Sequence, residues 1–162
     1  MRVITLILIL FISGISYGQE LNIGIEFTGG PRLNEANVIA LGPIIEYRLR
    51  ESVVSINSGI IFHVYKNESL ITLPIGLKFI LGNTVRFCPI IGGFLRSNSN
   101  YGFSAGVVID YEIKKRLYLF IKGEYDQDYW NEESLSYFGG VYESKHIGSS
   151  YWFGIGIKKN IL

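Results

Sequence analysis

Residues 101–113 read Y-G-F-S-A-G-V-V-I-D-Y-E-I, and two incompatible local structures compete for them. Gly102-Phe103-Ser104-Ala105-Gly106 fits the G-x-S-x-G pattern of serine hydrolases. There the serine is a nucleophile on a strained turn between a strand and a helix. Gly106 is succeeded by Val107-Val108-Ile109-Asp110-Tyr111, and β-branched and aromatic residues favour a pleated surface over a helix. Parity settles the matter. Odd positions hold Tyr101, Phe103, Ala105, Val107, Ile109, Tyr111 and Ile113; even positions hold Gly102, Ser104, Gly106, Val108, Asp110 and Glu112. One face is apolar and the other small or charged, so the stretch is a strand of roughly 40 Å with a period of two. Ser104 becomes a small residue on its polar face.

The alternation recurs on both sides of this segment and predicts eight strands. Leu21–Thr28 carries Leu21, Ile23, Ile25 and Phe27 on one face; Ile44–Leu49 sets Ile45, Tyr47 and Leu49 against Glu46 and Arg48. Val53–Tyr65 sets Val54, Ile56, Ile60, Phe62 and Val64 against Asn57 and His63, and Leu70–Leu81 carries Ile71, Leu73, Ile75, Leu77, Phe79 and Leu81 on one side. Val85–Arg96, the opening stretch, Leu117–Asp126 and Ser149–Lys159 complete the set. Connections after the second, fourth and sixth strands are tight, whereas residues 29–43 and 127–148 are long. Tight turns at one end and longer loops at the other describe an up-and-down antiparallel transmembrane β-barrel. Pro74 and Pro89 each remove a ladder donor, so bulges are expected there, with another at Gly92-Gly93.

A soluble sandwich alternates too, with its apolar face inward. The aromatic residues discriminate. Phe27, Phe62, Tyr101, Phe103, Tyr125 and Tyr151 fall near the outer strand ends, and Tyr47, Phe79, Phe87 and Tyr111 near the inner ends. Ile56, Ile75, Ile91, Val107, Ile121 and Ile155 lie between them. Two aromatic girdles around an aliphatic belt are the signature of a membrane barrel. The apolar face then meets lipid, and the opposite parity fills the lumen with Glu26, Glu46, Arg48, Lys78, Arg86, Asp110, Glu112, Lys122, Glu124, Asp126 and Lys158. Mixed signs at close quarters can pair, and eight strands leave room for little but side chains. The expectation is a plugged lumen rather than an ion path.

The N-terminus reads as a secretory signal. Arg2 precedes an apolar run from Val3 to Ile12, and Ser16-Tyr17-Gly18 places small residues before a cut between Gly18 and Gln19. Residues 1–18 are thus a signal peptide and 19–162 one outer-membrane barrel domain. Without Arg2 the chain has fourteen basic and fourteen acidic residues, which argues against a nucleic-acid partner. The single cysteine, Cys88, has no disulfide partner within the chain.

Candidate chemistry is sparse. His63 and His146 fall near the outer rim, with Ser149 and Ser150 close to the latter. The run K-H-I-G-S-S-Y-W lacks the His-x-Ser motif of lipid A deacylases, since position 148 is Gly. Two scattered histidines and one cysteine do not make a zinc set. No cofactor is expected and the chain is read as a non-enzyme. Loop 127–148 is the candidate interaction surface for a protein partner, through Tyr129, Trp130, Tyr137, Phe138 and Tyr142.

Four segments, L-I-T-L-P-I-G-L-K-F-I-L-G-N (70–83), F-C-P-I-I-G-G-F-L-R (87–96), the opening stretch and Y-W-F-G-I-G-I-K-K (151–159), resemble small outer-membrane barrels of the PorT-like kind. The resemblance implies an eight-stranded barrel without catalytic residues, and a link to protein secretion and gliding. Such barrels commonly end in an aromatic residue, whereas this chain ends Lys159-Asn160-Ile161-Leu162. The combined expectation is a bacterial outer-membrane barrel among lipids, with a structural, adhesion or secretion-scaffold role. The alternatives are an outer-leaflet lipid-modifying enzyme and a soluble secreted barrel holding a small apolar ligand.

Overall fold

The computed structural model describes residues 20–30, 38–48, 52–64, 69–135 and 141–162, with backbone alone for 131–135 and 141–144. The proposed signal peptide lies outside the described residues. Eight strands succeed one another: β1 (Glu20–Gly30), β2 (Val38–Arg48), β3 (Val54–Gly59 and Ile61–Val64), β4 (Ser69–Phe79 and Leu81–Gly82), β5 (Val85–Arg96), β6 (Tyr101–Lys114), β7 (Leu117–Leu135) and β8 (Val141–Asn160). Each pairs antiparallel with its sequence neighbours, and β1 closes the sheet on β8 through Asn22↔Asn160 to Gly29↔Phe153. Closure pairs each described strand on both sides within the barrel wall, as a bilayer demands.

The register gives the barrel its girth. From Glu20 the pairing runs through Arg48, Ser55, Lys78, Ile90, Gly106, Glu124 and Trp152. Trp152 lies against Gly30, so one circuit climbs ten residues along β1. That stagger tilts the strands and leaves an interior that side chains can fill.

The facing is that of a membrane barrel. Ile23, Ile25, Phe27, Ile56, Phe62, Leu73, Ile75 and Ile121 point outward and are exposed, Ile75 to 63%. Asn22, Glu26, Glu46, Lys78, Asp110, Asp126 and Lys158 point inward and are buried. A soluble ligand-binding barrel would need the reverse arrangement. The lumen is not wholly polar, because Ile80, Cys88, Ile90, Val108 and Phe120 form an apolar cluster in its inner half. Gly156 makes room for that cluster: a Cβ there would sit 2.2 Å from the Phe120 ring.

Three expectations are corrected. First, β2 begins at Val38 rather than near Ile44, while β7 and β8 reach Leu135 and Val141, so most of 127–148 is strand and not loop. Second, no bulge occurs at Pro74, Pro89 or Gly92-Gly93, where the register stays continuous. The prolines interrupt hydrogen bonding instead. Pro43 faces Ile60, accepting its N–H at 3.0 Å but giving none back, and Pro74 stands opposite Gly59; β3 breaks at Ile60. Pro89 is opposite Phe79, and β4 breaks at Ile80. A missing donor thus costs a ladder bond without inserting a residue. Third, the register shift in the described sheet lies at Ile113, between Glu112↔Tyr118 and Lys114↔Leu117. It adjoins the tight inner turn, where Arg116 takes a φ of 68° and donates its N–H to the Glu112 carboxylate at 2.9 Å.

Candidate functional site: the lumen ion pairs and the outer hairpin

Inward parity brings the predicted charges together in three levels. The inner level contains Lys78, Lys158, Glu46 and Asp110, from four different strands. Each ammonium lies 2.8 Å from Glu46 Oε2 and 2.7 Å from Asp110 Oδ2. Two cations and two anions alternate, so the set is neutral and each charge is compensated where water is excluded. Asn22 donates to Glu46 Oε1 at 3.2 Å, and the Cys88 thiol lies 3.7 Å from Asp110 Oδ2. Nearer the inner rim, Arg86 donates to the Tyr118 hydroxyl at 2.9 Å, and its guanidinium lies 4.5 Å from the centre of that ring. Arg48 pairs with Glu20 at 3.3 Å.

At the middle level Lys122 bridges Glu26 at 2.5 Å and Glu124 at 2.7 Å. One cation here serves two carboxylates. The outer level is built on Arg96, which holds Asp126 at 3.0 Å and also Asp128. The Trp152 indole N–H donates to Asp126 at 2.9 Å and to Ser150 Oγ at 3.1 Å. Thr72 joins Arg96 to His63, whose Nε2 lies 2.8 Å from the Thr72 hydroxyl.

Of the predicted lumen residues, Glu26, Glu46, Arg48, Lys78, Asp110, Lys122, Glu124, Asp126 and Lys158 enter ion pairs, and Arg86 bonds Tyr118. Glu112 caps the inner turn. Sequence reading missed Arg96, Asp128, Asn22 and Trp152. Arg96 shares the parity of Arg86 on β5, which is signal enough. Asp128 shares the parity of Asp126 but falls in the stretch that reads as a loop.

Among the described residues, cavities of about 50 Å³ and about 40 Å³ interrupt the packing. Both touch Glu26, Ile61, Pro74, Lys122 and Glu124, so the middle ion pair stands between them. Each is large and polar enough to hold ordered water.

The groups with catalytic potential are dispersed. Ser104 lies within β6, opposite Gly92 and Asp126, with no helix after it. His63 is buried, its ring edge-on to Trp152 at 5.1 Å. His146 stacks on Trp130 at 5.5 Å, four residues up the strand from the buried Ser150.

At the outer girdle Tyr125 packs on Tyr151 at 5.2 Å; β6 stays paired with β7 up to Tyr129, and beyond it β7 and β8 remain paired with each other. Tyr129 stacks on Tyr101 at 5.9 Å, on the lipid-facing side, and Trp130 with His146 forms the opposite face. Tyr137 and Phe138 lie outside the described residues, and Tyr142 is placed by its backbone alone.

No family model matches the chain, and no curated protein matches it. Its fold has clear counterparts among solved structures. Neisserial surface protein A aligns with a TM-score of 0.59 and 11% identity over 89% of this chain and 97% of that one. The N-terminal β-barrel domain of Pseudomonas aeruginosa OprF gives 0.54 and 12%, over 85% and 96%. A major outer membrane protein from Thermus thermophilus gives 0.53 and 11%, over 87% and 99%. At such identities the likeness concerns the fold, which is that of small outer-membrane β-barrels.

Proposed function

We propose that the protein is a bacterial outer-membrane barrel with a structural or interaction role, of the adhesion or secretion-scaffold type, and of the PorT-like kind. It enters the membrane after cleavage between Gly18 and Gln19. Its lumen is a plug, and its protein partner engages the β7–β8 hairpin. The observation that carries this reading is the contrast between the two halves of the molecule. The lumen spends its charged groups on one another, while the β7–β8 hairpin runs on past Tyr129, the last residue of β7 paired with β6, and carries Trp130 with it. Loops and projections on a rigid scaffold are where binding residues concentrate.

The test is fractionation of cells producing the full chain or a version with residues 131–145 replaced by a short turn. Both should reach the outer membrane and migrate differently in gels before and after boiling. The trimmed protein should lose the cell-surface or secretion phenotype of the full chain. Full activity of the trimmed protein, or recovery of the full chain in the soluble fraction, would refute the proposal.

A further inference from the structure

The inner turn between β6 and β7 is held from both sides. Arg116 donates its N–H to the Glu112 carboxylate at 2.9 Å, and its carbonyl accepts the N–H of Asn160 on β8 at 2.9 Å. The register shift at Ile113 lies against this turn and changes what one side chain faces. If the pairing of Glu112 with Tyr118 simply continued, Ile113 would stand opposite Leu117 and Lys114 would fall on the lumen parity. The extra residue sets Lys114 opposite Leu117 instead. Re-aiming a side chain is what a bulge does. Leu117 has the parity of Leu119 and Ile121, which are exposed on the lipid face, so Lys114 is turned to that face as well. On its other flank Leu117 is opposite Lys159.

Two exposed lysines thus flank one leucine at the tight-turn end of the barrel wall. Neighbouring strands are ~4.8 Å apart, so the Cα atoms of Lys114 and Lys159 are about 10 Å apart, and both side chains can reach one anion between them. Among the described residues, the carboxylates of this rim are engaged elsewhere, Glu112 with the turn and Glu20 with Arg48 at 3.3 Å. Lys115 and Arg116 are exposed in the same turn. One pair farther into the membrane, Leu119 stands between Tyr111 of the inner girdle and Ile157, all three exposed on the lipid face. Two positions along a strand are ~7 Å, so the ammonium groups lie at headgroup depth with an apolar wall directly beneath them. Lysine suits that place, because its stem packs on apolar surface while its charge stays at the interface.

We infer that Lys114 and Lys159 form a binding site for an anionic phospholipid of the inner leaflet. The two ammonium groups hold its phosphate across Leu117, and its chains lie along Leu119 and Ile121. A zwitterionic lipid fits less well, since its headgroup would bring a third cation against two lysines. A soluble anion fits less well too, since the lysines stand on the face that continues into the apolar belt. The site is at the end of the barrel opposite the β7–β8 hairpin and does not depend on the role of that hairpin.

The experiment uses the full chain folded in detergent, with phosphatidylglycerol or phosphatidylcholine of the same chain length titrated in and bound lipids counted by native mass spectrometry. The first phosphatidylglycerol should bind at least tenfold more tightly than phosphatidylcholine. A basic residue near an anionic headgroup contributes about 1 kcal/mol, which is about fivefold in affinity. Lys114→Gln and Lys159→Gln should therefore each weaken phosphatidylglycerol about fivefold and leave phosphatidylcholine unchanged, and the double variant should lose the preference. Lys114→Arg with Lys159→Arg should keep it. Lys115→Gln at the turn tip should cost less than twofold, and Lys145→Gln at the other end of β8 nothing. Gel mobility before and after boiling shows that each variant is folded. Equal binding of the two lipids by the natural chain, or a preference that survives the double glutamine variant, would overturn the site. A preference reduced as much by Lys115→Gln or Lys145→Gln would mean a diffuse attraction and would overturn it too. Displacement of the lipid by equimolar glycerophosphoglycerol, the headgroup without chains, would make the ligand a soluble phosphate ester and refute the lipid assignment.

Discussion

Replacing Lys158 by methionine removes one of the two cations of the inner lumen level. The remainder is Lys78 with Glu46 and Asp110, a buried set carrying one excess negative charge. Asp110 is fully buried and Glu46 is 4% exposed, so only water in the adjoining cavity of about 50 Å³ can replace part of the lost contacts. At ~4 Å between charge centres and an effective dielectric near 20, each attraction is worth about 4 kcal/mol. Lys158 makes two of them, at 2.7 and 2.8 Å, and is repelled by Lys78 across the same carboxylates. Its own desolvation offsets more, and the expected net loss is about 3–5 kcal/mol, the usual result of orphaning a buried charge. Pairing Lys158→Met with Glu46→Gln restores neutrality around a Lys78–Asp110 pair. The double variant should therefore be more stable than the sum of the two single changes by about 2 kcal/mol or more. The assay is reversible urea unfolding in lipid vesicles, monitored by tryptophan fluorescence and by gel mobility. A loss below about 1 kcal/mol for Lys158→Met, or strict additivity in the double variant, would show that the four groups are hydrated individually and that the lumen is not closed at this level.

Ile75→Arg, at an outward position 63% exposed near the mid-plane, should cost about 2–4 kcal/mol in the same vesicles, and no loss would refute the outward facing of β4. Lys122→Ala leaves Glu26 and Glu124 facing both cavities without their cation; in planar bilayers it should pass a small cation-selective current where the natural chain passes none, and identical traces would remove Lys122 as the barrier. Cys88, fully buried beside Asp110, should resist a water-soluble maleimide in the folded barrel and react after boiling in detergent; labelling without heat would mean that the lumen admits solutes.

Much of this protein was legible in its sequence because a barrel strand is a local object. Parity alone sorted Tyr101–Ile113 into a lipid face and a lumen face, and the same rule placed Glu26, Lys78, Asp110 and Lys158 inside. Aromatic residues at both strand ends decided between lipid and water outside, since each strand carries its own depth markers. The hairpin was misread where this logic fails. Beyond Tyr129, where the pairing of β7 with β6 ends, the run of charged and aromatic residues no longer alternates by parity, and residues 127–148 resemble a loop while forming mostly strand. The prolines were misread for a related reason, because a lost donor affects a bond across strands and the sequence does not say which partner loses it.

Which charges meet was beyond sequence reading. Lys158 and Glu46 are 112 positions apart and touch because the sheet closes with a stagger of ten residues. That stagger brings Lys78 and Lys158 to the level of Glu46 and Asp110, and Arg96 to that of Asp126 and Asp128. The residues determined their faces one strand at a time through the two-residue period of the pleat. The closed barrel decided their partners, because height around a sheared cylinder depends on every strand pairing in the circuit.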